Sequence, residues 1–205
     1  MKRKYQLIRV TSVLDYVESK WKEFWWRKVG FEQADKISRE SAQFGTRVHD
    51  MIGGLLQNKA IILTESSETI TAKAVTNWLA ENKITPLFES YEKSLEIEVK
   101  DIALGLVGHF DYAALVDGEP CIVDFKTSNR MRKSFPLQKA AYAKMANKQF
   151  GVKIDRGLTI RAHWNKETEK VEFETKTYSG LIKKYWPLFK CCLVIYKYFT
   201  REEKK

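Results

Sequence analysis

The sequence predicts an α/β fold with a central mixed β-sheet flanked by helices. Residues 31–58 carry apolar side chains at three- and four-residue spacing, which is typical of a helix packed on a core. Residues 94–99 and 104–116 alternate polar and apolar side chains, as strands with one buried face do. The chain has 205 residues and no linker rich in proline, glycine or serine, so we expect a single domain spanning residues 1–205.

Three segments are expected in order along this domain. They are a helical segment at about 10–85, a segment of sheet and helix at about 92–150, and a segment of two strands and a helix at about 156–200. The helix of the middle segment is expected to begin near residue 136. The final helix is apolar nearly all round, so we expect it to pack against the rest of the protein, with a contact between copies of the chain as the alternative.

Two aspartates and a lysine lie on a predicted hairpin. Asp117-Gly118 favours a tight turn, and pairing about this turn places Asp111 almost opposite Asp124. Two such carboxylates repel each other unless a cation lies between them, and their hard oxygens favour Mg²⁺ or Mn²⁺. Lys126 has the strand parity of Asp124, so its ammonium could orient a metal-bound water, help to deprotonate it and stabilise charge on a phosphate. A surface hairpin with an Asp124–Lys126 salt bridge is the alternative.

Four motifs, in the family's order, resemble those of the RecB-like branch of the PD-(D/E)XK nuclease superfamily. They are Gly45-Thr46-Arg47-Val48-His49, Gly108-His109-Phe110-Asp111, Asp124-Phe125-Lys126-Thr127 and Gln138-Lys139-Ala140-Ala141-Tyr142. The preceding segment resembles the leading part of mitochondrial genome-maintenance exonucleases and their phage and viral relatives, so the resemblance covers about residues 8–145. Phe110 stands where the superfamily's name has proline, which the RecB-like branch often lacks.

The resemblance implies a restriction-endonuclease-like core and a metal-dependent deoxyribonuclease that binds one or two Mg²⁺ or Mn²⁺ ions. The implied metal ligands are His49, Asp111, Asp124 and the backbone carbonyl of Phe125. Lys126 would be the catalytic lysine. Gln138 and Tyr142, on one helix face, would contact the DNA strand and support the site, with packing over the sheet as the alternative. We expect an exonuclease on single-stranded DNA in replication, recombination or repair, leaving a 5′-phosphate. The alternatives are a structure- or sequence-selective endonuclease and a catalytically idle DNA-binding or recombination scaffold.

Other residues near the expected site are candidates on their own pattern. Gly45 lies one turn before His49, and glycine within a helix costs about 1 kcal/mol relative to alanine. We therefore expect Gly45 to allow close approach of a strand or substrate beside the imidazole. Glu96 and Glu98 share a parity on the strand before Asp111, and either could supply a further carboxylate to a second metal; Glu98 is included among the candidate site residues.

The charge balance indicates a polyanionic partner, and we expect DNA. Lysine and arginine number 36 against 26 acidic residues, a formal net charge of +10. Arg130, Arg132 and Lys133 follow the expected catalytic lysine, so they are predicted to bind substrate at the mouth of the site, with a solvated basic loop as the alternative. Trp21, Phe24 and Trp25 follow helical spacing, so we expect most of their ring area to cover the sheet. The alternative is a platform of Trp21, Phe24, Trp25 and Trp26 that stacks on single-stranded DNA.

The three cysteines, Cys121, Cys191 and Cys192, do not have the spacing of a zinc site, and no early cysteine is present for an iron–sulphur cluster. We therefore expect no iron–sulphur cluster, no nucleotide cofactor, and free thiols buried as small apolar residues in a reducing compartment. Residues 1–10 lack an apolar run of signal-peptide length, and no stretch approaches the length of a membrane span. The expected location is intracellular and cytoplasmic, in the host cell if the protein is viral, with no membrane partner; an oligomer or a replication or recombination partner is left open.

Overall fold

The computed structural model describes residues 7–60 and 64–202, and over these residues it shows an α/β fold in which helices flank a mixed seven-stranded sheet. The strands are β1 (Ile8–Arg9), β2 (Thr85–Pro86), β3 (Leu95–Asp101), β4 (Leu106–Val116), β5 (Glu119–Lys126), β6 (Arg156–Asn165) and β7 (Lys170–Ser179). The helices are α1 (Val10–Val17), α2 (Ser19–Val29), α3 (Phe31–Leu56), α4 (Ser67–Glu81), α5 (Tyr91–Ser94), α6 (Phe135–Phe150) and α7 (Trp186–Glu202), with a π-helical turn at Leu181–Tyr185. The predicted fold class is confirmed, and it is consistent with a restriction-endonuclease-like core.

Strand β4 forms the centre of the sheet. It pairs parallel with β1 and antiparallel with β2, β3 and β5, while β5 pairs parallel with β6 and β6 antiparallel with β7. The predicted hairpin turn joins β4 to β5, and Asp117 and Gly118 both have positive φ (54° and 78°), as a two-residue turn of type I′ requires. The β4–β5 ladder ends at the pair Tyr112–Val123, so the two strands separate just before Asp111 and Asp124.

Two helical layers cover the two faces of the sheet. On one face, α3 and α4 pack through Val48, Ile52, Val75 and Leu79. On the other, α1, α6 and α7 pack through residues that include Val13, Tyr142, Met145, Phe189 and Leu193. Burying a large apolar side chain of this kind stabilises the fold by about 1.5–3 kcal/mol. The described part of α1 to α4 corresponds to the predicted helical segment.

Strands β3 and β4 change faces at the level of the candidate site. The pair Leu95–Tyr112 packs on the α3 side, whereas the next pair of the same parity, Ile97–Phe110, packs on the α6 side. Between them Glu96 has a φ of 50°, a left-handed conformation that costs an ordinary residue about 1–3 kcal/mol. Strain of this kind concentrates at functional sites, and here it falls beside Asp111.

Helix α2 differs from the sequence prediction. None of its described side chains is buried, and Phe24 and Trp26 are 59% and 38% exposed. The helix contacts α1 and α3. The expectation that Phe24 covers the sheet is therefore wrong; the side chain of Trp21 lies outside the described residues. The rings of Trp26 and Phe31 meet edge to face with centroids 5.6 Å apart.

The C-terminal helix packs on one face only. Trp186, Phe189 and Leu193 of α7 are buried, whereas Leu188 and Val194 are 54% and 67% exposed. The prediction of a packed helix therefore holds for the face toward α1 and α6. The expectation of buried thiols holds for Cys121 but is wrong for Cys191, which is exposed on the outer face of α7, and Cys192 is half-buried. Within the residues that the structure describes, no helix has the length and apolar character needed to cross a membrane.

Candidate metal centre and its lysine pair

Three side chains that could bind a metal come together from three elements, at the point where β3 and β4 change faces. His49 of α3, Glu96 of β3 and Asp111 of β4 each place one ligand atom within 4.8 Å of the others. We call these three residues the acidic cluster. The imidazole Nδ1 of His49 lies 3.6 Å from Oδ1 of Asp111, and both side chains are partly exposed, at 25% and 14%. The cluster is therefore accessible from solvent.

The orientation of Asp111 follows from the separation of β4 and β5. Beyond the last β4–β5 pair, the backbone N–H of Phe125 donates to Oδ2 of Asp111 at 2.6 Å. One carboxylate oxygen is thereby held by the backbone while the other faces His49. The ring of Phe125 also meets the imidazole edge to face, with centroids 6.0 Å apart. The resemblance implied that the backbone carbonyl of Phe125 is a metal ligand, and this stays a prediction. The structure shows instead that the N–H of Phe125 orients Asp111.

The helix that carries His49 comes close to the end of β5. A Cβ built on Gly45 would lie 3.2 Å from Oγ1 of Thr127, so a larger residue would crowd the contact. Gly45 lies one turn before His49, and the expectation that it permits a close approach is confirmed for the chain segment after Lys126. The carbonyl of Thr127 is in turn 3.0 Å from Nδ1 of His163.

The ionised form of Glu96 is disfavoured in the acidic cluster. Burial, and then repulsion from Asp111, raises the pKa of Glu96, while His49 and Lys126 lower it less than these effects raise it. A cation placed between two carboxylates and an imidazole would relieve this repulsion. Two hard oxygens with one nitrogen are compatible with Mg²⁺ or Mn²⁺. The residues present therefore fit the divalent ion that the sequence implied.

Asp124 has the opposite environment. Its side chain is buried, with Oδ1 accepting from Nζ of Lys126 at 2.6 Å and Oδ2 accepting from Nζ of Lys139 at 3.0 Å. We call Lys126 and Lys139 the lysine pair. Burial alone would raise the pKa of Asp124, but the two ammonium groups outweigh it and lower that pKa to about 2. The structure thus brings His49 and Asp111 together but not Asp124; coordination by Asp124 stays a prediction and would require it to exchange a lysine for the cation.

The members of the lysine pair differ in exposure. The side chain of Lys126 is 22% exposed, and although burial lowers its pKa, Asp124 and Asp111 raise it more, so Lys126 is a cation at neutral pH. It therefore suits the stabilisation of negative charge rather than the removal of a proton. Lys139 has no exposed surface, and burial lowers its pKa despite the attraction of Asp124. Substrate cannot reach Lys139, so its contact with Asp124 makes it a positioning residue.

Sequence reasoning quoted Lys139 within a motif but gave it no role. Its side chain runs between the rings of Phe135 and Tyr178, whose centroids lie 5.6 Å and 5.8 Å from Nζ. Gly157 makes room for it, because a Cβ there would lie 2.7 Å from Cδ of Lys139. Helical spacing from Lys139 to Tyr142 and Ala146 on the buried face of α6 is the signal that could have identified it.

Gln138 and Tyr142 share a face of α6, as the sequence predicted. The amide Nε2 of Gln138 donates to the hydroxyl of Tyr142 at 3.0 Å. Tyr142 is only 2% exposed, and its ring fills the space that a side chain at Gly108 would take. The predicted contact between Tyr142 and a DNA strand therefore needs correction, since the ring is core; its place beside Gln138 is that of support. Gln138 is half-buried and keeps its candidate role.

Glu98 also needs correction. Its carboxylate pairs with Lys100 and lies 3.2 Å from Nε2 of His109, outside the acidic cluster. The left-handed φ of Glu96 breaks the alternation that would have given the two glutamates a common direction. Glu96, which sequence reasoning considered but did not select, is the glutamate of the site.

The basic segment after β5 connects Lys126 to the start of α6. Nη1 of Arg132 is 3.4 Å from a carboxylate oxygen of Glu18, and Arg132 and Lys133 line a cavity with Lys176 and Tyr178. Arg130 is exposed. Substrate binding by these residues stays a prediction.

Comparisons with known proteins leave the function to be argued from the site. No protein-family model matches the chain, and no curated protein matches it. A solved structure described as "Crystal structure of SSO0001" is similar over 96% of this chain and 76% of that chain, with 12% sequence identity and a TM-score of 0.41.

Proposed function

We propose that this protein is a metal-dependent nuclease that hydrolyses phosphodiester bonds in DNA, with single-stranded DNA as the preferred substrate. The observation that carries the proposal is the meeting of His49, Glu96 and Asp111 from three elements, together with a protonated, partly exposed lysine at the end of β5. Lys126 is close enough for Asp111 to raise its pKa, and Phe125 joins the two strands by its hydrogen bond to Asp111. A phosphodiester and a divalent cation are the pair of opposite charges that such a site accommodates.

Mg²⁺ or Mn²⁺ bound at the acidic cluster would polarise the phosphate and lower the pKa of a bound water. His49, Glu96 and Asp111 would hold the ion, and the resemblance adds Asp124 and the carbonyl of Phe125 as further ligands. The N–H of Phe125 orients Asp111 and leaves Oδ1 toward His49.

Lys126 is the residue that we assign to the phosphate. Its ammonium is protonated and partly exposed, so it can donate to a phosphate oxygen as negative charge builds on it. Asp124 holds this ammonium at 2.6 Å, and Lys139 holds the other oxygen of Asp124. Lys139 therefore acts on the reaction through Asp124 by fixing the direction in which Lys126 points.

Single-stranded DNA is supported by the charge and by the surface at the start of α3. The net charge of +10 attracts polyanions. Trp26 and Phe31 are exposed next to Arg27 and Lys28, and aromatic rings beside cations are typical of surfaces that stack single-stranded bases. Phe31 precedes His49 by 18 residues on one continuous helix, which places the rings about 27 Å from the acidic cluster along its axis.

The proposal is tested with end-labelled linear single strands, linear duplexes and closed single-stranded circles, each with Mg²⁺, Mn²⁺ or EDTA. We expect linear single strands to be degraded with either metal and circles to survive. Lys126→Met should reduce the rate by about 100- to 1,000-fold, whereas Lys73→Met on the exposed face of α4 should not change it. Cut circles would indicate an endonuclease, and tight DNA binding without cleavage would leave only the scaffold function.

A further inference from the structure

A small basic cavity lies near the lysine pair, but neither lysine of the pair lines it. Its volume is about 290 Å³, and its lining includes Arg132, Lys133, Lys176, Tyr178 and Tyr185. Neither the acidic cluster nor Lys126 lines it. The cavity is therefore a separate feature of the surface that the proposed chemistry does not use.

Tyr178 connects this cavity to the site. Nζ of Lys139 lies 5.8 Å from the centre of the Tyr178 ring and 3.0 Å from Oδ2 of Asp124. Nζ of Lys176 lies 5.7 Å from the same ring. The ring of Tyr178 therefore separates the cavity from the buried lysine.

The charge of the cavity favours an anion. Three of the side chains that line it are cations and none is a carboxylate, although Arg132 also pairs with Glu18 at 3.4 Å. Helix α6 begins at Phe135, with Pro136 at the cavity and no acidic residue in the first turn. The positive end of the helix dipole therefore adds to the three cations.

The size and the rings narrow the choice of ligand. Small-molecule sites typically enclose about 300–1,000 Å³, so this cavity is at the lower limit and is too small for a duplex. The rings of Tyr178 and Tyr185 stand edge to face with centroids 6.1 Å apart. Tyr178 is only 6% exposed, so the half-buried ring of Tyr185 is the one that offers apolar surface beside the cations. Cations for a phosphate together with a ring for a base or sugar correspond to one nucleotide.

We propose that this cavity binds a nucleoside monophosphate group, either as the phosphorylated end of a DNA strand or as the released product. The proposal rests on the proposed nuclease function, because a nuclease supplies both ligands. A site that holds a strand end beside the lysine pair would account for the preference for linear strands over circles that the proposed function expects. It assigns Arg132, Lys133 and Lys176 to the terminal phosphate monoester, which carries more charge than an internal phosphodiester.

Binding is measured first by calorimetry in EDTA, with deoxythymidine 5′-monophosphate, deoxythymidine and inorganic phosphate as separate probes. We expect the monophosphate to bind and the nucleoside to bind at least tenfold more weakly. Lys176→Gln and the double variant Arg132→Gln/Lys176→Gln should weaken binding by roughly 10- to 100-fold for each charge removed. Lys190→Gln, on an exposed position of α7, is the matched control and should bind as the wild type does.

The two sources of the ligand are separated by kinetics with Mg²⁺. If the strand end is bound, a 5′-phosphorylated linear strand has a lower KM than a 5′-hydroxyl strand, and Lys176→Gln removes the difference. If the product is bound, the two strands behave alike, while the monophosphate inhibits the wild type and not Lys176→Gln. Lys176 is exposed on β7, so this variant should keep the wild-type unfolding midpoint.

Equal binding of the nucleoside and the monophosphate, or unchanged binding by the double variant, would overturn the cavity assignment. Cleavage by an enzyme that fails to bind the monophosphate would do the same and leave the nuclease intact. Charge-dependent binding without any metal-dependent cleavage would overturn the nuclease and leave a nucleotide site.

Discussion

The two halves of the candidate site treat negative charge in opposite ways. In the acidic cluster, Glu96 and Asp111 face each other, and the pKa of Glu96 is raised. In the other half, Asp124 lies between two ammonium groups, and its pKa is lowered to about 2. The second half holds its carboxylate with two cations of the protein, whereas for the acidic cluster we propose a divalent cation from outside it. Asp111 and Asp124 look equivalent in the sequence, but the charges around them give their carboxylates different environments.

Burial explains why the second half needs two lysines. A carboxylate with almost no exposed surface is costly unless its lone pairs accept hydrogen bonds from a charged partner. Lys126 alone would satisfy Oδ1 of Asp124 and leave Oδ2 without a partner. Lys139 supplies that second hydrogen bond from inside the fold, so that Lys126 can remain at the surface of the site.

The largest effect should come from removing the charge of Asp124. Asp124→Asn leaves the ammonium of Lys139 buried without its carboxylate, so we expect a loss of about 3–5 kcal/mol in the free energy of unfolding. Because the folded pKa of Asp124 is lowered, its contribution is present above pH 3.8 and is lost as the pH falls toward 2. Urea unfolding at pH 7 and in acid checks both statements. Equal unfolding of variant and wild type at pH 7 would show that Asp124 is not the anchor of the pair.

Asp111→Asn should have the opposite effect to Asp124→Asn: little change in stability and a large loss of metal binding. The amide oxygen can still accept from the N–H of Phe125, so the stability should change little, while a charged ligand is removed from the acidic cluster. We expect Mn²⁺ affinity and the cleavage rate each to fall by about 100-fold or more. Calorimetric titration with Mn²⁺ gives the affinity independently of activity. If both aspartate variants lost stability equally, the contrast between the two halves would fail.

Glu96 and Glu98 provide a matched pair on one strand. Glu96→Gln should weaken Mn²⁺ binding by about 10- to 100-fold, whereas Glu98→Gln should leave it unchanged, because only Glu96 belongs to the cluster. The folded pKa of Glu96 is raised, so its ionisation destabilises the metal-free protein at neutral pH, and this cost disappears as the pH falls below 4.5.

Glu96→Gln should therefore be more stable than the wild type in EDTA at pH 7.5 and equal to it near pH 4. Denaturant unfolding at the two pH values measures the difference. A stabilisation that persists at pH 4 would mean that the ionisation of Glu96, disfavoured by burial and by Asp111, is not its cause.

Much of this arrangement could be predicted from the sequence because strand parity and turn chemistry are local. Asp117-Gly118 predicted the turn, and alternation predicted that Lys126 and Asp124 point the same way; the 2.6 Å contact bears this out. The position of His49 beside Asp111 followed from the ordered motifs, and Gly45 indicated the close approach.

The remainder depended on features that the sequence pattern does not encode. A single left-handed residue at Glu96 exchanged the roles of two glutamates. The burial of Lys139 depends on its ion pair with Asp124 and on the absence of a side chain at Gly157. Both residues lie more than a dozen positions away in the chain. Helical spacing correctly predicted that α2 is a helix, but it did not predict that the aromatic side chains of this helix are exposed. Periodicity shows which residues share a face, not whether another element packs on that face.

The smallest expected effect tests how tightly the two halves are joined, and it uses two glycines of α3. Gly53→Ala has no atom within 4 Å of the new Cβ, so the gain in helix propensity should stabilise the protein by about 1 kcal/mol. Gly45→Ala carries the same gain but places its Cβ 3.2 Å from Oγ1 of Thr127, directly after Lys126. We therefore expect less stabilisation and a several-fold weaker Mn²⁺ affinity, because α3 can relieve the contact only by moving His49 away from Asp111. Identical unfolding midpoints and Mn²⁺ affinities for the two variants would show that Thr127 yields instead, so that the acidic cluster and the lysine pair are positioned independently.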